Sequence, residues 1–133
     1  MNQLQLEYRK VSSGPAAECA LALSNSILIA ERLESSTDWG VFKKRSDVQT
    51  RAILKAWQIV NQKRIELNNL VNVTLSGIVE KMKQDETNVE KVDLFENDLA
   101  IKSKLCLALG KGSVSESENL ALLSAWAVLP FEN

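Results

Sequence analysis

The feature that most restricts the fold of this chain is a long run of regularly spaced apolar residues in its middle. From residue 53 to residue 78 the spacing alternates between four and three, which is typical of a helix that packs along one face. The positions of this heptad seam are Ile53, Trp57, Val60, Arg64, Leu67, Val71, Thr74 and Ile78. The pattern predicts a helix over residues 47–83, about 57 Å long if unbroken. A division into two helices near Asn68–Asn72 or at Gly77 is the alternative.

The rest of the chain also reads as helical. Apolar periodicity predicts helices over residues 15–35, 88–109 and 115–128, and residues 1–12 fit either a short helix or a lone strand. Five glycines and two prolines are too few for the many turns of an all-β protein. We therefore expect an all-α fold: a compact bundle of four or five mostly antiparallel helices with one long central helix, forming a single domain over residues 1–133.

Local signals mark where three of these helices begin. Pro15 suits a first helical turn, with Ser13 as the cap before it. Ser46 and Gln49 fit a capping box, in which each side chain satisfies a backbone amide of the other residue. The segment 115–118, with sequence SESE, fits the same pattern.

The chain contains no histidine, and this limits its chemistry. Serine–histidine and cysteine–histidine nucleophile pairs are excluded, as are metal sites that need imidazole. Its two cysteines, Cys19 and Cys106, each lie in an apolar helical pattern, and they are interpreted either as free buried thiols or as a disulfide between neighbouring helices. We expect no enzymatic activity, no cofactor and no metal.

Positive charge is concentrated at the start of the long helix. Residues 41–64 hold seven Lys or Arg and one acid, although the whole chain has a net charge of only -1. Cations before a helix N-terminus oppose the helix dipole, so an external anion such as a phosphate would relieve them. The candidate anion or nucleic-acid contacts are Lys43, Lys44, Arg45, Arg51 and Lys55. A solvated polar face is the simplest interpretation, with a nucleic-acid backbone and an acidic protein partner as alternatives.

Negative charge is concentrated further along the chain. Residues 85–98 hold six acids and one Lys. These acids would neutralise the basic segment if the two regions met within the bundle. If the fold holds them apart, they are complementary patches that would join copies head to tail.

A non-catalytic role in protein–protein interaction or assembly accommodates these features best. The predicted interface uses the heptad seam and a Lys that interrupts the apolar stripe of the next helix: Ile53, Trp57, Val60, Arg64, Leu67, Val71 and Lys102. The alternative is a small subunit that binds a nucleic-acid backbone through the basic segment. No apolar run reaches the roughly 20 residues of a membrane span, and the N-terminus lacks a signal-peptide core. We therefore expect a cytoplasmic protein with a protein partner or self-association.

Overall fold

A computed structural model describes residues 3–84, 89–109 and 116–127, and these are helical almost throughout, with no strand among them. A short 3-10 turn at Gly40–Phe42 lies in the connection between the second and third helices. The α-helices are α1 Gln3–Ser13, α2 Pro15–Ser35, α3 Ser46–Asn69, α4 Ser76–Gln84, α5 Val89–Leu109 and α6 Glu116–Ala127. The prediction of an all-α bundle is confirmed.

The long central helix is continuous but not uniform. A π-helical segment, Leu70–Leu75, joins α3 to α4 without interrupting the helical backbone. The amide of Ser76 donates to the carbonyl of Val71, five residues earlier, as a π turn requires. The wider turn changes the register of the buried face, so Leu75 is buried and Thr74, the predicted seam position, is exposed. The helix therefore does not break at Asn68–Asn72 or at Gly77.

Residues 3–12 belong to a helix, so the strand alternative is wrong. Tyr8 and Ser12 are four residues apart on α1 and both are buried. A tight joint connects α1 to α2, where the amide of Gly14 donates to the carbonyl of Lys10 over 3.0 Å. A Cβ atom at Gly14 would lie 2.7 Å from that same oxygen, so the joint requires glycine.

The predicted helix starts are only partly correct. Pro15 does occupy the first turn of α2, but Ser13 is the last residue of α1, and its hydroxyl donates to the carbonyl of Arg9 over 2.6 Å. The capping box at α3 is also wrong, because Ser46 lies inside the helix and Arg45 holds the cap position. The Gln49 amide does reach back, but it donates to the Phe42 carbonyl, which the 3-10 turn brings within 2.8 Å. The proposed box at 115–118 begins at a residue outside the described ranges.

The hydrophobic core lies mainly at one end of the long helix, and within residues 28–59 it includes only Ala30 and Ala56. All six helices contribute buried residues there, among them Tyr8, Leu23, Leu67, Phe95 and Trp126. In contrast, no residue from 31 to 55 is buried. We call residues 28–59 the distal hairpin: the end of α2, the connection and the start of α3. The remaining described residues form the bundle end.

The hairpin is antiparallel. The Cys19 thiol approaches the carbonyl of Lys63 at 3.5 Å, and the Trp57 indole donates to Glu34 over 3.2 Å. Residues that lie early in α2 therefore meet residues that lie late in α3. Within the described part of the chain, no helix has the length and apolar character needed to cross a membrane.

Candidate interaction surface

Four of the seven predicted interface residues lie inside the protein. Val60, Leu67 and Val71 are each at most 1% exposed, and they pack in the core of the bundle end. Lys102 is also 1% exposed. Because a helix within a bundle covers its most apolar face with its own neighbours, these four residues are not available to a partner in this fold. They therefore do not form the predicted docking surface.

The other predicted interface residues lie at intermediate depth. Ile53 and Trp57 are half-buried in the distal hairpin, where the Trp57 indole joins α3 to the Glu34 carboxylate of α2. Arg64 is half-buried too, and one of its amino groups donates to Asn61 over 3.0 Å. These residues are partly accessible, and they lie on the side of α3 on which Trp57 bonds to Glu34 of α2.

The opposite side of the distal hairpin carries an apolar groove. Ile59 is two residues beyond Trp57, so the two side chains point about 160° apart around the helix. The groove has a volume of about 280 Å³ and is lined by Ser26, Ile29, Leu33, Ala52, Lys55, Ala56 and Ile59. Ile29 is 55% exposed and Ile59 is 42% exposed. Two of the α3 residues are alanines, and their small side chains leave room for the groove.

The arginines of the basic segment are held by one internal acid. Arg45 donates two hydrogen bonds to the Asp47 carboxylate, over 3.1 and 3.0 Å, and Arg51 donates a third over 3.2 Å. Arg45 is the main cause that keeps the pKa of Asp47 below its usual value. Asp47 lies in the first turn of α3, where a negative charge is favourable. An external anion is therefore not needed to relieve the helix terminus.

Three lysines of the basic segment differ from its paired arginines. Lys43, Lys44 and Lys55 are exposed, and none of them forms a salt bridge with a residue in the described part of the chain. Lys55 also lines the apolar groove. Of the five predicted anion contacts, three therefore keep their charge available for a partner.

Two acids of the predicted negative segment form ion pairs with lysines outside residues 41–64. Glu96 forms an ion pair with Lys83, and Asp98 forms one with Lys102 over 2.7 Å. No salt bridge among the described residues joins this segment to residues 41–64. Residues 85–88 lie outside the described ranges.

A buried polar network in the bundle end was not predicted from the sequence. Asp98 accepts hydrogen bonds from the Lys102 ammonium at both carboxylate oxygens, over 2.7 Å each, and from the Tyr8 hydroxyl over 2.5 Å. The ammonium also lies 5.6 Å from the ring centre of Trp126. The Trp126 indole in turn donates to the carbonyl of Ser12 over 3.1 Å. The network therefore joins α1, α5 and α6.

We interpret this network as structural, because it links three helices. Burial, followed by the hydrogen bond to Asp98, raises the pKa of Tyr8 far above its usual value, so the phenol remains a neutral donor. The Tyr8 ring also packs edge-on against Phe95, with ring centres 5.0 Å apart. The one signal in the sequence was the four-residue spacing of Asp98 and Lys102, which puts opposite charges on one helix face.

Both cysteines are buried and free, which confirms the interpretation as unpaired thiols. Burial is the largest cause that raises the pKa of both, to about 12 for Cys106. Neither has the lowered pKa that makes a thiol reactive.

Within the described residues, no group of three or more His, Cys, Asp or Glu side chains is placed to hold a metal ion. Comparison with protein-family models, with curated proteins and with solved structures gives no match. The features that bear on function are the groove, the exposed lysines of the basic segment and the contrast with the covered end of the same helices.

Proposed function

We propose that this protein is a non-catalytic interaction or assembly subunit, cytoplasmic in location, that binds a protein partner through its distal hairpin. The observation that carries the proposal is the combination of no buried residue from 31 to 55 with an exposed apolar groove. The five large apolar side chains of the distal hairpin that are most open to solvent are 42–90% exposed: Ile29, Val41, Phe42, Leu54 and Ile59. Ile29 and Ile59 share the groove, and contiguous apolar surface of this kind is typical of interaction sites.

The occupant we propose is an amphipathic helix of another protein, with an apolar stripe and acidic residues beside it. A groove between two antiparallel helices fits a third helix, whose apolar positions recur every three or four residues. Lys55 lines the groove, and Lys43 and Lys44 lie in the connection between α2 and α3. Since these lysines form no ion pair with a described residue, acidic residues of the partner complement them, and such pairs mainly set orientation and association rate.

The apolar contacts would supply most of the affinity. Each apolar side chain that becomes fully buried contributes about 1.5–3 kcal/mol, before the cost of association is subtracted. Ile29 and Ile59 face each other across the groove from α2 and α3. They are therefore the residues whose loss should weaken binding most.

Site-specific photo-crosslinking tests this proposal. A photoreactive phenylalanine is placed at Ile59 in the groove and, as a matched control, at Val73, which is 67% exposed on the bundle end. The protein is expressed in its own cells and irradiated. We expect a discrete protein adduct from position 59 and none from position 73, and we expect Ile29→Asp to remove the adduct.

Circular dichroism is the control for folding, and the Ile29→Asp protein must show the same helical spectrum as the wild type. Equal adducts from both positions, or no adduct from position 59, would contradict the proposal. An adduct of this chain with itself would identify the partner as a second copy. Light scattering at low and high salt would then give its stoichiometry.

Binding to a nucleic-acid backbone is the second candidate, and the three unpaired lysines are the observation that favours it. With Arg45 and Arg51 held by Asp47, three phosphate contacts remain in place of five. Binding to duplex DNA should then weaken with salt with a log–log slope of about -2.7, at roughly 0.9 per contact. Fluorescence anisotropy with a labelled duplex measures this slope. No binding at low salt, or binding unaffected by Lys43→Glu with Lys44→Glu, would remove this candidate.

A further inference from the structure

A second cavity lies at the bundle end, away from the hairpin groove. It has a volume of about 500 Å³ and is formed between α1 and the long helix, where the π-helical segment passes into α4. Val11, Val73 and Ile78 supply apolar surface, and Glu7, Lys10 and Lys81 supply charge. This combination of apolar walls with a few polar groups, in a volume between about 300 and 1,000 Å³, is typical of small-molecule sites.

The wall of this cavity contains a glycine that the backbone does not require. Gly77 lies within α4 and lacks the positive φ that would demand glycine. A Cβ atom built at Gly77 would meet nothing within 4 Å, so close packing does not demand it either. Glycine inside a helix is less stable than alanine. What the missing side chain does provide at this position is space in the cavity.

The π-helical segment forms another part of the same wall. Val73 and Thr74 lie in this segment and line the cavity, and both are exposed to solvent. π turns inside α-helices are uncommon and frequently occur at functional sites. The π-helical segment and Gly77, whose missing side chain leaves space, thus border the same cavity.

The charges at the cavity indicate the class of ligand. Lys10 and Lys81 face one acid, Glu7, and none of the three forms a salt bridge with a described residue. We propose that this cavity binds a small organic anion with an apolar body. The negative group pairs with Lys10 and Lys81, and the apolar body lies against Val11 and Ile78 beside Gly77.

The experiment uses the full chain with 8-anilinonaphthalene-1-sulfonate, which combines a sulfonate with an apolar ring system. The probe is titrated into ¹⁵N-labelled protein while the amide signals are followed by NMR. We expect saturable shifts at Gly77 and Thr74. The absence of shifts there up to millimolar probe, or shifts restricted to Ile29 and Ile59 in the hairpin groove, would overturn the proposal.

Variants separate cavity binding from nonspecific association of the dye. Gly77→Leu fills the space and should weaken binding by at least about tenfold, whereas Gly77→Ala should leave affinity nearly unchanged. Lys10→Gln with Lys81→Gln should weaken binding by roughly tenfold through lost charge-assisted contacts. Lys55→Gln in the other groove is the matched control and should change nothing. Equal affinity in the wild type, Gly77→Leu and the double lysine variant would overturn the proposal, whatever happens at the hairpin.

Discussion

α2 and the long helix run through both the distal hairpin and the bundle end, yet the two regions bury very different amounts of surface. Where α1, α5 and α6 surround α2 and the long helix, apolar side chains such as Leu23, Leu67 and Leu75 are completely or almost completely covered. Beyond those neighbours, none of residues 31–55 is buried. A heptad pattern therefore identifies the face of a helix that packs, but it does not identify what packs against it.

Charged residues show the same contrast. At the bundle end, Asp98 and Lys102 form a pair that is almost inaccessible to solvent. At the hairpin, Arg45, Asp47 and Arg51 form a cluster at the surface. Buried charges must be paired because desolvation is costly, whereas exposed pairs contribute little to stability.

The largest effect that we predict separates these two kinds of ion pair. Lys102→Met leaves the Asp98 carboxylate buried without its cation, which should lower the free energy of unfolding by about 3–5 kcal/mol. Adding Asp98→Asn should recover part of this loss, since the amide is neutral and still accepts from Tyr8. Arg51→Met at the hairpin should cause no resolvable change. Urea denaturation followed by circular dichroism measures all three, and a fully stable Lys102→Met protein would contradict the buried pair.

The second prediction compares a Leu-to-Ala substitution at a buried and at an exposed position of α3. Leu67 is 1% exposed and Leu54 is 58% exposed. Leu67→Ala should therefore destabilise the protein by about 3 kcal/mol, and Leu54→Ala should stay within about 0.5 kcal/mol of the wild type. Thermal or chemical denaturation gives both values. Similar losses for the two variants would mean that the hairpin is covered as fully as the bundle.

The smallest predicted effect concerns alkaline pH and should come from the bundle end. Burial raises the pKa of Cys106 to about 12 from 9.0, so the folded state retains a proton that the unfolded state releases. This contribution to stability is complete below pH 9 and is lost as the pH rises towards 12. Between pH 7 and pH 10, Cys106→Ala should lose less stability than the wild type, by roughly 1 kcal/mol after allowance for solvent screening.

A matched control comes from the hairpin. Arg45 is exposed, and its pKa is raised, mainly by the hydrogen bond to Asp47. Arg45→Gln should therefore leave the loss of stability between pH 7 and pH 10 unchanged. If Cys106→Ala and the wild type lose the same stability over this interval, the thiol is not buried as described.

Helix positions were largely predictable from the sequence. The expected helices over 15–35 and 47–83 correspond to Pro15–Ser35 and to the continuous helix from Ser46 to Gln84. Apolar spacing is repeated many times along such segments, so single exceptions such as Arg64 do not hide it. Cap geometry was less predictable, because the Gln49 amide found carbonyl partners in a 3-10 turn that the local pattern did not indicate.

The candidate surface was predictable only in part. The sequence pointed to α3 and to its lysines, but it placed the interface on the seam, where Val60 and Leu67 are buried. The groove on another side of the helix depends on Ile29 and Leu33 of α2 as well as on Ile59 of α3. No pattern within a single helix reveals which residues of two helices border a common groove.

The sequence by itself determined the all-α class and the approximate positions of the longer helices, because these follow from local propensity and from a period repeated along the chain. Only the tertiary structure decided how far α1, α5 and α6 extend along α2 and the long helix, and therefore which apolar residues are core and which are surface. It also completed the network around the Asp98–Lys102 pair, since Tyr8 and Trp126 reach this pair only when three helices converge. Burial and electrostatic pairing depend on distances between elements, and those distances exist only once the helices have packed.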